Sequence, residues 1–169
     1  NATWSKYTDD KMLFDHDDVV IDVGASIGEF SLPAARVVGR VLALEPEPSA
    51  MTALKANSVR SGGNIVALSL AASDASGELP FFISADTADS SAIEPSCFTH
   101  VDTVQCVRLA DLISDHDVDV DSIALVKIEA EGYEPEVLRG LLPDVRPRFI
   151  SVNCEAERRG ESPLDEVVH

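Results

Sequence analysis

Val19-Val20-Ile21-Asp22-Val23-Gly24-Ala25-Ser26-Ile27-Gly28 reads as a buried strand that runs into a glycine turn and the start of a helix. Seventeen residues after Gly28, a second apolar run, Val41-Leu42-Ala43-Leu44, ends on Glu45 and Pro46. Strand, glycine turn, helix, strand and acidic tip together describe a nucleoside-cofactor site. The glycines let the backbone bend sharply and approach a ligand closely, and an acid at the second strand's end can accept both hydroxyls of a ribose. On the turn alone, a tight connection without any ligand fits equally well.

The turn also discriminates between nucleosides. A dinucleotide turn wants glycine at the middle position of G-x-G-x-x-G, so that the chain can lie against a pyrophosphate at a helix N-terminus. That position is Ser26 here. Asp22, two residues before the first glycine, would repel a diphosphate but suit a ligand with an ammonium group and a positive sulfur. S-adenosylmethionine is such a ligand. An NAD(P)-dependent oxidoreductase on the same sheet is the first alternative, disfavoured by Ser26 and by the lack of a recognisable hydride-transfer pair. A non-catalytic nucleoside-binding domain is the second.

Further along, Val126-Lys127-Ile128-Glu129-Ala130-Glu131-Gly132-Tyr133-Glu134, continuing into Pro135-Glu136-Val137-Leu138-Arg139-Gly140, resembles the lysine-hydrophobic-acid-x-Glu-Gly-x-Glu signature of the FkbM-type methyltransferases. The glycine turn, Leu44-Glu45-Pro46, Asn57 and Ala72-Ser73-Asp74-x-x-Gly77 match in order, so the similarity covers most of residues 18–155. The chain departs from the family at Glu129, where Asp is usual. The resemblance implies a Rossmann-like class I methyltransferase fold, S-adenosylmethionine as cofactor, and methyl transfer to a hydroxyl of a sugar, lipid or other small metabolite.

Alternating strands and helices give an α/β fold with a mostly parallel sheet, helices on both faces and ligands at the carboxyl ends of the strands. Strands are expected at 19–23, 41–44, 65–70, 79–84, 103–109, 123–129 and 149–153. Ser26-x-x-Glu29 matches a capping box opening a helix through about Val38, with Pro33 an awkward interior residue. Pro48 starts a second helix that Gly62-Gly63 ends, and Pro135 starts another with Glu134 and Glu136 near its N-terminus. The polar stretch 85–102 is long enough for a lid or an acceptor-binding segment.

Asp22, Gly24, Ala25, Ser26, Gly28, Glu45, Pro46, Ser73, Asp74 and Glu129 are the expected cofactor-binding residues, and Asp22, Glu45, Ser73, Glu129 and Glu131 lie at strand ends that should converge on one crevice. Asp74 could equally start a turn with Gly77. The catalytic candidates are Glu129 and Glu131, chiefly on the resemblance, and His100, by residue type and its place on the long loop. Strand alternation puts Lys127 beside these carboxylates, so a structural ion pair is the plain alternative. Asp115-His116-Asp117 and Asp119-Asp121 read as a solvated loop, and no metal is expected.

Thirty acidic residues stand against thirteen basic ones, a formal net charge of −17 that leaves no basic patch for nucleic acid. Self-repulsion of this size is screened at high salt, where the Debye length falls to ~3 Å at 1 M. The pattern resembles proteins of halophilic archaea. No apolar stretch approaches a membrane span and no signal peptide is evident, so a cytoplasmic location and a small-molecule acceptor are expected. Cys97, Cys106 and Cys154 lack metal or redox spacing and read as buried free thiols. At 169 residues the chain suits one methyltransferase domain: an N-terminal extension, 1–17, a cofactor-binding core, 18–155, and a truncated segment, 156–169, with a short helix from Pro163. Asn1-Ala2 has the look of an expression remnant. Sheets of this type usually finish with an antiparallel pair, so the last strands are expected to be missing. Either the chain is a fragment or a partner covers the open edge, as in a homodimer.

Overall fold

The computed structural model describes residues 2–85, 90–95, 97–142 and 144–154. The expected C-terminal segment 156–169, with its short helix, lies outside them, as do Asn1 and parts of the 85–102 stretch.

Five strands, β1 (Val19–Val23), β2 (Arg40–Leu44), β3 (Ile65–Leu68), β7 (Ile123–Ile128) and β8 (Phe149–Val152), form an all-parallel sheet in the order β3-β2-β1-β7-β8. β1 and β7 are buried along their whole length, which is why both read as unbroken apolar runs. Side chains alternate between faces. Ile21, Val23, Leu42 and Leu44 pack under α4 (Leu109–Asp115) and α5 (Glu134–Leu141), while Val20, Val41 and Ala43 pack with α2 (Ser31–Ala34) and α3 (Pro48–Ser58). Helices therefore cover both faces, as the sequence pattern requires.

A second sheet stands beside the carboxyl ends of the first. β4 (Ala71–Ser73), β6 (His100–Arg108) and β5 (Gly77–Ile83) are ordered β4-β6-β5, with β4 parallel and β5 antiparallel to β6. Leu79, Phe81, Ile83, Val104 and Cys106 make its small core, onto which Tyr133 packs. Gly140 lets α5 lie against β4, because a β-carbon there would sit 1.9 Å from the Ser73 carbonyl oxygen.

Several local expectations are corrected. The first helix shrinks to Ser31–Ala34 and no side chain caps it. Ser26 adopts a left-handed φ of 48°, incompatible with an N-cap, and Pro33 has no N–H to bond the preceding turn. β3 stops at Leu68, three-residue β4 follows, and α4 fills the stretch between the strand expected to end at Leu109 and the loop expected to begin at Asp115, where no helix was expected. His100 opens β6 rather than lying on a lid. Of the cysteines only Cys106 is buried; Cys97 is exposed and Cys154 intermediate.

Within the expected N-terminal extension, residues 2–7 form helix α1 (Ala2–Tyr7), whose Trp4 and Tyr7 join the apolar cluster on one face of the sheet. Trp4 stacks on Phe30 with ring centres 5.2 Å apart and meets Phe14 edge-on at 5.3 Å, and Tyr7 is buried beside Phe30.

Candidate active site

A cavity of about 240 Å3 opens at the carboxyl ends of β1, β2 and β7, the place where an open parallel sheet presents its ligand site. Gly24, Ser26 and Glu29 line it after β1, Glu45 and Pro46 after β2, and Glu129, Ala130 and Glu131 after β7, so Glu45 and Glu129 stand on either side of β1. Leu70, Ala71, Ala72, Phe81 and Tyr133 give it apolar lining, and Ser90 and Ala92 also contribute. A mostly apolar trough with carboxylates on either side of β1 suits a flat heterocycle attached to polar groups.

The glycine turn is held open by its neighbours. The N–H groups of Gly24 and Ala25 both donate to the Leu44 carbonyl, and the Asn57 amide donates to the Ile27 carbonyl at 2.8 Å. Gly24 has φ of 69°, and a β-carbon there would lie 1.8 Å from the Glu129 carbonyl oxygen. Only glycine lets β1 and β7 come this close. Ser26 and Glu131, two left-handed residues that are not glycine, both face the cavity, and strain of this kind gathers at ligand sites.

Glu45 is aimed. It is 7 % exposed, with Oε2 accepting the Ser26 N–H and Oε1 accepting the Glu47 N–H, each at 2.8 Å. Burial pushes its carboxyl above the ordinary range, and these two hydrogen bonds oppose that rise. Each oxygen keeps a second lone pair for a diol in the cavity.

Asp22 is corrected. It is fully buried beneath the turn, on the face opposite Ile21 and Val23, with Oδ2 accepting the Ser31 hydroxyl at 2.6 Å and Oδ1 3.1 Å from the Lys127 ammonium. Asp22 and Lys127 are register partners in adjacent strands, so the ion pair follows from the pairing of β1 with β7. Lys127 also donates to the Gly24 carbonyl at 2.7 Å and lies 3.4 Å from Glu129. Asp22 thus braces the turn through Lys127 and does not reach the cavity wall. The structural ion pair weighed for Lys127 is real.

Glu129 lies on the cavity wall with its side chain 27 % exposed. Oε1 accepts from Lys6 at 2.9 Å and from the Asn153 amide at 3.0 Å. Burial pushes its carboxyl upward, but the Lys127 charge, the neighbouring Tyr7 hydroxyl and Lys6 outweigh it and hold the group below the ordinary range. It is an ionised acceptor, poorly suited to taking a proton.

Glu131 also lines the cavity, and its carbonyl accepts the Ser91 hydroxyl at 2.7 Å. Its loop is shaped by Glu134, fully buried, whose Oε1 accepts the N–H groups of Ala130 at 2.8 Å and Gly132 at 3.3 Å. The last acid of the signature therefore positions the loop from behind, and burial raises its carboxyl.

The remaining candidates move back from the wall. Ser73 is buried 3.1 Å behind the Tyr133 hydroxyl, and Asp74 faces Arg139 on the surface at 3.7 Å. Ala25 and Gly28 shape the turn without lining the cavity. His100 is exposed, 3.7 Å from Asp102, and does not line the cavity. Tyr133, Phe81 and the residues of α1 were not anticipated. Tyr133 stood inside the signature, and Trp4-x-x-Tyr7 was the one signal for α1.

A model of the FkbM methyltransferase domain matches residues 22–165. The chain belongs to the FkbM methyltransferase family. This family member is 30% identical over 155 residues to the hexuronic acid methyltransferase AglP of Haloferax volcanii. The match covers 89% of this chain and 60% of that protein, so the chain spans less than two thirds of its relative's length. The crystal structure of methyltransferase FkbM from Methylobacillus flagellatus overlays with a TM-score of 0.51 at 19% identity, over 78% of this chain and 31% of that one, and shows the shared fold. Precorrin-8w decarboxylase from Methanobacterium thermoautotrophicum gives a TM-score of 0.46 at 20% identity, over 82% and 54%. Among the described residues no helix is long and apolar enough to cross a membrane, and no group of three or more His, Cys, Asp or Glu is placed to hold a metal ion.

Proposed function

We propose that this methyltransferase uses S-adenosylmethionine to methylate an oxygen of a sugar-like acceptor. The observation that carries the reading is Glu45, buried in the lining of an apolar cavity and aimed by two backbone N–H groups at the position of a ribose diol. With the ribose there, the adenine would lie along Phe81 and Tyr133 and the methionine end would reach Glu129. The name of the Haloferax relative favours a uronic acid or similar sugar as acceptor.

In the reaction, the acceptor oxygen attacks the methyl carbon in line with the sulfonium. The carbon–sulfur bond breaks, sulfur keeps the electron pair as a neutral thioether, and the acceptor's proton leaves to a nearby carboxylate or to water. Holding the reacting atoms in line supplies most of the gain, up to ~7–11 kcal/mol. Glu129, clamped by two lysines and kept ionised, serves as the cofactor's anchor. Glu131 is the carboxylate left for the acceptor. His100, exposed and outside the cavity lining, has no part in this scheme.

Calorimetric titration with S-adenosylhomocysteine and with NAD at molar KCl tests the cofactor. Binding of the first alone supports the reading, and binding of NAD alone or of neither ligand overturns it. With labelled cofactor and uronic acid acceptors, Glu131→Gln should lower kcat while leaving S-adenosylhomocysteine affinity near the parent value.

A further inference from the structure

We infer that Lys6 and Glu129 form a single recognition device for a zwitterionic amino acid, with Glu129 taking the ammonium group and Lys6 the carboxylate of the cofactor's methionine end. This rests on the proposed cofactor. It makes α1 part of the binding site, where the sequence suggested only an extension.

Three observations carry it. Lys6 lies 2.9 Å from Glu129, and Glu129 lines the cavity, so Lys6, itself outside the lining, is a cation one ion pair away from the wall. The Lys6 side chain is 47 % exposed, and an ammonium has three donor hydrogens, so it can serve Glu129 and a ligand carboxylate together. Lys6 is also fixed in place, since α1 is pinned by Trp4 on Phe30 and by buried Tyr7, over whose ring the Lys6 ammonium sits at 5.0 Å.

The ligand class follows from the pairing itself: Glu129 can take an ammonium and Lys6 a carboxylate, so a zwitterion exchanges one ion pair for an alternating set of four charges. Asp22 cannot act in place of Glu129, because it is fully buried, with Oδ2 on the Ser31 hydroxyl and Oδ1 facing Lys127.

The test compares three ligands by calorimetry at molar KCl: S-adenosylhomocysteine, decarboxylated S-adenosylmethionine, and methylthioadenosine, which lacks the amino-acid end. Lys6→Met should weaken S-adenosylhomocysteine by about tenfold, the worth of one charge-assisted hydrogen bond, and leave the two ligands without a carboxylate unchanged. Lys6→Arg should recover most of the loss. Equal weakening of all three ligands would mean that Lys6 merely supports the fold, and no change with any of them would remove it from the site; either result overturns the inference. Tighter binding by the Met variant would also overturn it, because Lys6 would then be competing with the ligand for Glu129. Failure of every adenosine ligand to bind the parent protein would instead refute the cofactor reading itself.

Discussion

Replacing Gly24 with Ala probes the tightest backbone approach to a glycine among the described residues. The residue sits at φ of 69°, where an L-residue costs ~1–2 kcal/mol. Its new β-carbon would stand 1.8 Å from the Glu129 carbonyl oxygen, against the 3.0 Å that real contacts respect, and that atom is backbone and cannot swing aside. Either β1 or the end of β7 must shift, adding the ~1–3 kcal/mol typical of an overpacked core. A total loss of ~2–5 kcal/mol should appear in urea unfolding at molar KCl. Gly62→Ala is the control, since Gly62 has φ of 91° with nothing within 4 Å, and only the ~1–2 kcal/mol backbone cost applies. Because the shift moves Glu129, the Gly24 variant should also bind S-adenosylhomocysteine more weakly, whereas the Gly62 variant should bind normally. Equal unfolding midpoints for the two variants, with unchanged binding, would refute the reasoning.

Lys127→Met should cost ~3–5 kcal/mol in the same unfolding assay by leaving the buried Asp22 carboxylate without its cation, and adding Asp22→Asn should recover part of that loss. The two signature carboxylates should give opposite pH slopes. Glu129, held below its usual 4.5, stabilises the fold above that pH and loses the contribution as pH falls below it, so the gap between parent and Glu129→Gln should narrow in acid. Glu134, raised above 4.5 by burial, contributes fully below that pH and loses the contribution as pH rises through its folded value, so the parent's advantage over Glu134→Gln should shrink toward neutrality. Thermal unfolding across pH checks both signs. With a net charge of −17, the melting temperature should rise between about 0.1 M and about 2 M KCl, and a flat response would contradict the account of salt adaptation.

The parallel sheet was legible because β1, β2 and β7 are buried on both faces and so carry unbroken apolar runs with turns at their carboxyl ends. The glycine turn was legible because its backbone geometry demands glycine, and the place of Glu45 was legible because it directly follows the apolar run of β2. Side-chain direction was not. Asp22 and Glu45 both belong to strand ends near the turn, yet β1 alternation puts Asp22 on the Val20 face, beneath the turn with Lys127 and off the cavity lining. Three-residue β4 has too little sequence to announce a strand, and its pairing with β6 depends on contacts distant in the chain. Helix α1 spans six mixed residues whose apolar members find partners only when Phe30 and Phe14 are in place. Ser26 satisfied the capping pattern, but its N–H is held by Glu45, and that tertiary bond fixes a backbone conformation no cap can adopt.

A crystal structure of the protein grown with S-adenosylhomocysteine at molar KCl tests the central claim most directly. The account predicts both ribose hydroxyls within hydrogen-bond distance of Glu45, the adenine against Phe81 and Tyr133, and the ammonium group on Glu129. A nucleoside bound elsewhere, or one lying in the cavity with its ribose turned away from Glu45, would contradict it.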